Sequence, residues 1–466
     1  MSRGYDVEDY GLQNLPEFAH VDQRYQANTK LTSFLAKENS VFDWFIACDG
    51  PDMDGARGDC AVLRNRIYPD GRIEVTLLVF DGAGGGHATQ VCPDGSKAYA
   101  GSLGGNLCFY DPRAMRETKR KCILEYGVPR IADEGQTHVL WLNNETFLCC
   151  IGDYLYEGDY STLKLKRLGR HMLPQPHAMK LSAEGRYIVI GSMDREARFC
   201  SSHVQIDPDG HAKQIGIMDT RDLFKDARVV RTPATLWHGN TDKKNQTAYF
   251  VSQRTDPNPH DGRYDRYVPA NEMNFLVEID LEAAEVQRLQ IYPARLPNHL
   301  SSDVELSKDG KHVLSNCCMS GTICIADRTD PLFKPYRYIY ERTNLIHAIP
   351  HWRAVKTNLR DAFRRVDIFS HTNLLFDALA MTGGSLLGGS YALKLSPSGN
   401  LIMSGVRDAN QIRFYSYPEG KELQRFQTLD GRDYYKEQEG VTKSGVLGMH
   451  HSDLSTASTQ IYWTSM

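Results

Sequence analysis

The sequence predicts an all-β protein, and three observations in its 466 residues lead to this prediction. A pattern of histidine, apolar strand, tight turn and apolar return recurs along the chain. Most copies are followed by another pair of strand-like segments. The two ends of the chain carry incomplete copies that complement each other. Repeats of about 40–60 residues, each a group of short strands, are typical of a β-propeller. We therefore expect a seven-bladed β-propeller whose last blade is closed by N- and C-terminal strands.

Two copies show the repeat most clearly. HATQVCPDGSKAYAGS begins at His87 and HAMKLSAEGRYIVIGS begins at His177. In both, an apolar residue stands four positions after the histidine, and a turn ending in glycine precedes the return. Turn residues between two apolar runs indicate a β-hairpin. The remaining copies are headed in the same register by His138, Tyr391 and His450, and after longer lead-ins by His238 and His299.

Segments from the two ends of the chain are expected to form the last blade together and so close the propeller. Asp59–Gly82 is patterned as strand, turn and strand with no inner hairpin before it, whereas the copy headed by His450 has no outer strands before Met466. Joining these half-blades would remove exposed sheet edges, which otherwise invite aggregation. We assign residues 57–466 to the propeller and residues 1–56 to an N-terminal arm, which has helical patterning around Val21–Lys37 and no evident role.

Composition narrows the class of protein. The chain is 41% hydrophobic and has a formal net charge of −4, without basic blocks, which argues against nucleic acid as the main partner. No apolar run approaches the roughly 20 residues of a membrane span, and the N-terminus lacks the apolar core of a signal peptide. The 11 cysteines lie mostly in apolar strand-like segments, without a CxxC motif. We interpret them as reduced, buried residues of a cytoplasmic protein.

The long segments are expected on one face of the propeller. Ser252–Phe275 separates the middle strands of its blade, and Arg328–Ser390 precedes the copy headed by Tyr391. Loops longer than about 15 residues are usually lids or binding segments. The Arg328–Ser390 segment is aromatic and apolar, and it has helical spacing over Trp352–Arg365. We interpret it as a helix-bearing lid. A homodimer or membrane-surface contact through residues 328–390 is the alternative.

The histidines at the strand starts predict a metal site. The first strand of each propeller blade lines the central channel, so residues at the starts of several such strands converge on one axis. Imidazole nitrogen suits Fe, Cu, Ni and Zn. Structural histidines retained from an ancestral blade are the alternative. The predicted ligands are His87, His138, His177, His238, His299 and His450. Candidate carboxylate partners for the second imidazole nitrogen are Asp133, Glu134, Asp303, Glu305 and Asp453.

The hairpins LSAEGRYIVIGS and LSKDGKHVLSN resemble those of the lactonase-like seven-bladed propellers, over roughly residues 57–466. This superfamily includes the selenium-binding (methanethiol oxidase) proteins and the propeller domain of nitrous oxide reductase, in which hub histidines bind copper. The resemblance implies hub positions at His87, His138, His177 and His450. The chain departs from these families because it has no cysteine-rich copper domain. Carotenoid oxygenases hold iron with four histidines, and MKLSAEGRYIVI is similar to the segment of their second histidine, whereas their other segments have no match in this chain.

These observations predict a metal-dependent oxidoreductase with Fe(II) or Cu. An all-imidazole set of ligands suits a redox metal that binds O₂ or a substrate oxygen at open positions better than structural zinc. We expect a small, partly apolar organic substrate, contacted by Trp352, and name Tyr391, Tyr264 and Tyr267 as candidate catalytic residues. Two alternatives stay open. One is a metal-independent lactonase, lyase or cyclase with His and Tyr as acid and base. The other is a propeller that only binds proteins.

Overall fold

A computed structural model describes the greater part of the chain. The described residues are 21–48, 60–80, 82–83, 86–102, 106–122, 138–151, 154–170, 176–182, 185–192, 212–219, 228–232, 235–241, 247–254, 273–292, 301–317, 322–341, 390–406, 410–428 and 449–456. They are almost entirely β, which confirms the predicted class. The chain divides into two compact units, residues 1–170 with 394–466, and residues 171–393.

The first unit begins with strands β1 to β12 and one helix, α1. Their bounds are β1 (Val21–Gln26), α1 (Thr29–Leu35), β2 (Phe42–Cys48), β3 (Cys60–Ile67), β4 (Arg72–Phe80), β5 (Gly86–Val91), β6 (Ala98–Ser102), β7 (Asn106–Asp111), β8 (Arg116–Cys122), β9 (Val139–Trp141), β10 (Thr146–Ile151), β11 (Tyr154–Asp159) and β12 (Leu165–Arg170). Strands β5–β8 form one antiparallel sheet and β9–β12 a second, each in sequence order.

The second unit contains three sheets of the same kind, β13–β16, β17–β20 and β21–β24. Their strands are β13 (Pro176–Leu181), β14 (Tyr187–Ser192), β15 (Ala212–Asp219), β16 (Arg228–Thr232), β17 (Thr235–Thr241), β18 (Thr247–Arg254), β19 (Met273–Asp280), β20 (Glu285–Tyr292), β21 (Ser301–Leu306), β22 (His312–Cys317), β23 (Thr322–Asp327) and β24 (Pro335–Tyr340).

The C-terminal part adds five strands. They are β25 (Ser390–Leu395), β26 (Leu401–Val406), β27 (Gln411–Ser416), β28 (Glu422–Gln427) and β29 (Met449–Thr456). Strands β25–β28 form a four-stranded sheet, whose chain belongs to the first unit from Lys394 onward. The described strands thus fall into seven sheets, six of them four-stranded.

Both ends of the chain contribute to one sheet, which we call the closing sheet, with strand order β1-β4-β3-β2-β29. The predicted half-blade Asp59–Gly82 supplies β3 and β4. The strand next to β29 in this sheet is β2, from the N-terminal segment, because β2 pairs with β29 on one side and with β3 on the other. The return strand expected after β29 lies outside the described residues. The boundary predicted at residue 56 falls inside this sheet.

The N-terminal segment also connects the closing sheet to the sheet of β25–β28. The Tyr25 hydroxyl donates to the Gln427 carbonyl (2.6 Å), and the Asn28 side-chain amide donates to the Leu423 carbonyl (3.0 Å). The helical patterning predicted around Val21–Lys37 holds only for α1, which Asn28 caps by accepting from the Leu31 N–H. Val21–Gln26 is a strand because it pairs with the outer edge of β4.

Three of the described turns between third and fourth strands share one design. Asp111, Asp159 and Asp280 each end a third strand, and each carboxylate accepts backbone N–H groups two or three residues later. The fourth residue after each aspartate has a left-handed backbone, with φ values of 50°, 53° and 58° at Met115, Leu163 and Ala284. These turns orient the outer strand of each sheet.

Ala284 provides a test of this strain, because a left-handed backbone costs a residue with a Cβ about 1 kcal/mol. We expect Ala284→Gly to raise the free energy of unfolding in urea by about 1 kcal/mol. Ala283 lies in the same turn with no positive φ and is exposed, so Ala283→Gly is the matched control. Ala283→Gly should instead lower the free energy of unfolding by roughly 0.5–1 kcal/mol. Equal effects of both substitutions would contradict the strained turn.

Basic side chains connect successive sheets within each unit. Arg64 on β3 donates to the Arg113 carbonyl (2.7 Å) in the turn after β7. In the second unit, Arg288 on β20 donates to the Arg328 carbonyl (2.8 Å) in the turn after β23, and its guanidinium lies 4.1 Å from the centre of the Phe333 ring. Apolar clusters fill the space between neighbouring sheets in both units, and the phenylalanines within them are fully buried.

The structure shortens the predicted insertion. Residues 328–341 form a turn and β24, the fourth strand of their sheet, so the segment predicted as a lid from Arg328 begins as ordinary sheet. The rest of that segment, including the helix predicted at Trp352–Arg365, lies outside the described residues. Ser252–Phe275 does separate the second and third strands of its sheet, since β18 ends at Arg254 and β19 begins at Met273.

Candidate functional site

The first strands of neighbouring sheets contact one another within each unit. In the first unit β29 contacts β5, and β5 contacts β9. In the second unit β13 contacts β17, and β17 contacts β21. Three predicted histidines therefore stand at the starts of adjoining strands. They are His450 at the start of β29, His87 at the start of β5 and His138 directly before β9. His177 and His238 lie on the adjacent strands β13 and β17 of the second unit.

A β-bulge marks the start of several of these strands. On β5, His87 is an extra residue between Gly86 and Ala88, which pair with consecutive residues of β6. On β13, His177 and Ala178 oppose one residue of β14, and on β29, His450 and His451 oppose Ala47. A bulge bends its strand and re-aims a side chain, and bulges are enriched next to active sites. At His87, His177 and His450 the register predicted from the sequence thus coincides with a backbone irregularity.

Two positions depart from the predicted set. On β17 the bulged residue is Trp237, directly before His238, which pairs with Val251. On β21 the bulge contains Ser302 and Asp303. Ser302 stands four residues before Leu306, so a serine occupies the register position that histidine occupies on β5. His299, the ligand predicted for this copy, lies outside the described residues, as do Tyr264 and Tyr267.

His138 is the one predicted ligand whose side chain the structure describes, and it is buried, with 8% of its surface exposed. Tyr391 lies in β25 and is also buried, at 9% exposure. Among the side chains that the structure describes, no group of three or more His, Cys, Asp or Glu residues is placed to hold a metal ion. The side chains of His87, His177, His238 and His450 lie outside that set, so their assignment as ligands stays a prediction.

Side chains connect the first strands of the first unit. The Asp453 carboxylate on β29 accepts from the Val91 N–H on β5 (2.9 Å). The Gln90 carbonyl accepts from the Trp141 indole N–H (3.2 Å), and the Gln90 side-chain oxygen accepts from the Trp141 backbone N–H (3.3 Å). Edge strands leave backbone donors unpaired, and these bonds satisfy them while fixing each strand beside the next.

Asp453 is a predicted partner of an imidazole, and that prediction is untested because the imidazoles of His450 and His87 lie outside the described side chains. The structure shows that its carboxylate accepts from the Val91 N–H. Removing the carboxylate leaves that partly buried donor without a partner, which costs about 1–3 kcal/mol. We expect Asp453→Ala to lower the urea midpoint accordingly. Asp453→Asn keeps a side-chain oxygen that can accept this bond, so its urea midpoint should fall clearly less than that of Asp453→Ala. If Asn and Ala are equally destabilising, the hydrogen bond to Val91 does not hold β29 against β5.

Of the other carboxylate candidates, two are buried on β21 and two lie outside the described residues. Asp303 is 7% exposed, its carboxylate accepts from the Val304 N–H (2.9 Å), and its own N–H donates to the Asn316 side chain (2.7 Å). Glu305 is also buried. Asp133 and Glu134 lie outside the described residues.

Seven cysteines that the structure describes are buried free thiols, which confirms their predicted burial. They are Cys48, Cys60, Cys92, Cys108, Cys149, Cys150 and Cys324. Burial raises the pKa of the Cys149 thiol to about 12 and raises the pKa of the Cys60 thiol well above its ordinary value, so both are protonated at neutral pH. Cys60 lies beside the start of β5: a Cβ added to Gly86 would be 3.0 Å from the Cys60 Sγ.

Together, these sheets and strand starts place the chain in the β-propeller class of all-β proteins. Among solved structures, it is similar to the β-propeller domain of Cps50 (Swd1) from Myceliophteria thermophila, with 9% identity over 73% of this chain and 86% of that one, and a TM-score of 0.43. It is also similar to hydrazine synthase from Kuenenia stuttgartiensis, with 12% identity over 80% of this chain and 95% of that one, and a TM-score of 0.46.

No protein-family model and no curated protein matches the chain. Among the described residues, no helix has the length and apolar character needed to cross a membrane.

Proposed function

We propose that this protein is a metal-dependent oxidoreductase, of oxidase or oxygenase type, that binds Fe or Cu through histidines at the starts of β29, β5 and β9. One observation carries the proposal. His450 and His87 occupy bulges at the starts of two adjoining strands, and His138 directly precedes the next strand in the same row. The lactonase-like resemblance of the hairpins gives independent support from the sequence.

The donor set fits such a metal. Three imidazoles add no negative charge and suit Fe or Cu, whereas calcium and magnesium require oxygen ligands. When bound, the metal supplies redox chemistry and open positions for O₂ or a substrate oxygen. The hydrogen bonds among Asp453, Val91, Gln90 and Trp141 hold the three strands in fixed relation, so the imidazoles would be preorganised. The assignment of His177, His238 and His299 as further ligands stays a prediction.

A metal-independent lactonase, lyase or cyclase is the second candidate, and the buried Tyr391 phenol at a strand start favours it. In that function the phenol would exchange a proton with a small organic substrate.

Metal content separates the two candidates. We expect protein purified without a histidine tag, and incubated with Fe(II) or Cu, to retain roughly one equivalent of metal per chain after desalting. His87→Ala should lose most of this metal while its circular dichroism stays unchanged. His312→Ala is the control, because His312 is a half-buried β22 residue that stacks on Tyr336 and stands at no first-strand start. Metal retention unchanged in His87→Ala, or no uptake by the folded wild type, would overturn the proposal.

A further inference from the structure

A cavity of about 350 Å³ lies between the closing sheet and the sheet of β5–β8. Its lining includes Ser455 near the end of β29, Gly95 in the turn after β5, and Pro112 and Arg113 in the turn after β7. Ser455 stands five residues beyond His450, which corresponds to roughly 16 Å along an extended strand. The cavity is therefore separate from the strand starts where the metal is proposed.

The apolar lining that a ligand can reach is Val41, which is 37% exposed, and the half-buried Tyr68 ring, and the polar groups beside them are fixed. Phe42 and Phe45 are buried, at 2% and 0% exposure. Asp43 accepts from Arg66 at two points, Nε to Oδ1 (2.8 Å) and Nη2 to Oδ2 (2.9 Å). This bidentate pair orients the Arg66 guanidinium and occupies both oxygens of the Asp43 carboxylate.

The turn that carries Arg113 is also held in place. The Asp111 carboxylate accepts from the Arg113 N–H (2.8 Å), and Arg64 donates to both the Pro112 and the Arg113 carbonyls (3.2 and 2.7 Å). The Arg113 side chain itself is exposed. Its guanidinium is thus presented at the rim of the cavity from a fixed backbone.

Hydrogen-bond donors outnumber acceptors at this site. Among the residues that the structure describes, none accepts from Arg66 Nη1, from the Arg113 guanidinium or from the Ser455 hydroxyl. The charge of Asp43 offsets that of Arg66, so Arg113 leaves the lining with a net positive charge. A cavity of this size, lined by apolar side chains and by unpaired donors, fits a small ligand with one anionic end.

We propose that this cavity binds a small organic carboxylate, whose carboxylate oxygens accept from Arg66, Arg113 and Ser455 while its apolar body lies on Val41 and the Tyr68 ring. Arginine is suited to this role because its planar guanidinium presents several donors to a carboxylate.

Calorimetric titration of the full chain with benzoate tests the proposal, with the isosteric neutral amide benzamide as comparison ligand. We expect benzoate to bind and benzamide to bind at least tenfold more weakly, because a hydrogen bond to a charged group is worth about tenfold or more in affinity. Arg113→Gln should weaken benzoate binding by a similar factor. Arg116→Gln is the matched control, since Arg116 is exposed on β8 and does not line the cavity, and it should leave the affinity unchanged.

Three results would overturn the proposal: no benzoate binding to the folded protein, equal binding of benzamide and benzoate, or equal affinity in Arg113→Gln and Arg116→Gln. Inorganic phosphate that binds more tightly than benzoate would also overturn it, because the site would then select an anion without an apolar body.

Discussion

Gly158→Ala is expected to destabilise the protein by about 3 kcal/mol, a cost in the upper range for overpacking of a core. A Cβ at residue 158 would lie 2.2, 2.3 and 2.8 Å from three ring atoms of Phe147, its cross-strand partner. The ring has no free space to enter, because Phe147 is fully buried and its ring centre lies 5.3 Å from that of Phe109 and 5.7 Å from that of Trp141. Urea unfolding measures the loss.

A double-mutant cycle identifies the cause. In a Phe147→Leu background the smaller side chain leaves room for the Cβ, so Gly158→Ala should cost less there, with a coupling energy of about 1 kcal/mol or more. Additive effects of the two substitutions would show that the ring does not occupy the space beside Gly158.

Gly86→Ala, at the start of β5, is expected to destabilise the protein about as much as Gly158→Ala. A Cβ at residue 86 would lie 2.1 Å from the Cys48 carbonyl oxygen and 3.0 Å from the Cys60 Sγ. The carbonyl belongs to the backbone of β2 and cannot rotate away as a side chain can. We therefore expect a loss of about 3 kcal/mol in urea unfolding. Because His87 is the next residue, loss of metal binding should accompany it.

Gly82 offers the matched control for Gly86. A Cβ at residue 82 would meet nothing within 4 Å, although its φ of 63° is left-handed. Gly82→Ala should therefore cost only about 1 kcal/mol of backbone strain. If Gly86→Ala is no more costly than Gly82→Ala, β5 does not pack against the end of β2 as described.

The sequence predicts the hairpins well because their turns are local. The Pro93-Asp94-Gly95 turn forms between β5 and β6, and the glycines at 95, 185, 310 and 399 all have the positive φ that their turns require. Each such glycine stands between two apolar runs, so the turn and both strands can be recognised from one short segment.

Contacts between distant segments were harder to predict. Val21–Lys37 has apolar residues at Val21, Tyr25, Leu31 and Leu35, a spacing that suits a helix. Pairing with β4 nevertheless makes Val21–Gln26 a strand, since tertiary contacts override a weak local pattern. Phe42–Cys48 is an apolar run of strand type, but its role depends on β29, which lies some 400 residues later in the chain.

For the candidate site, the sequence indicates which residues stand at the strand starts but not how the backbone presents them. The spacing of four from His87 to Val91 is the same as from His450 to Leu454. A bulge leaves this spacing unchanged, because it alters only the pairing with the neighbouring strand. Four residues before Leu306 the sequence has Ser302, whereas His299 lies seven residues before it. This difference in spacing could have shown that His299 departs from the pattern.

X-ray absorption at the metal K-edge tests the proposed imidazole ligation most directly. The protein is purified without a histidine tag and loaded with Fe(II) or Cu. We predict first-shell nitrogen with the outer-shell scattering of imidazole rings, and its loss from a folded His87→Ala/His450→Ala variant. Sulfur scattering would assign the metal to the nearby thiols Cys48 and Cys60 instead. That result, or an unchanged spectrum in the double variant, would contradict a histidine metal site at the strand starts.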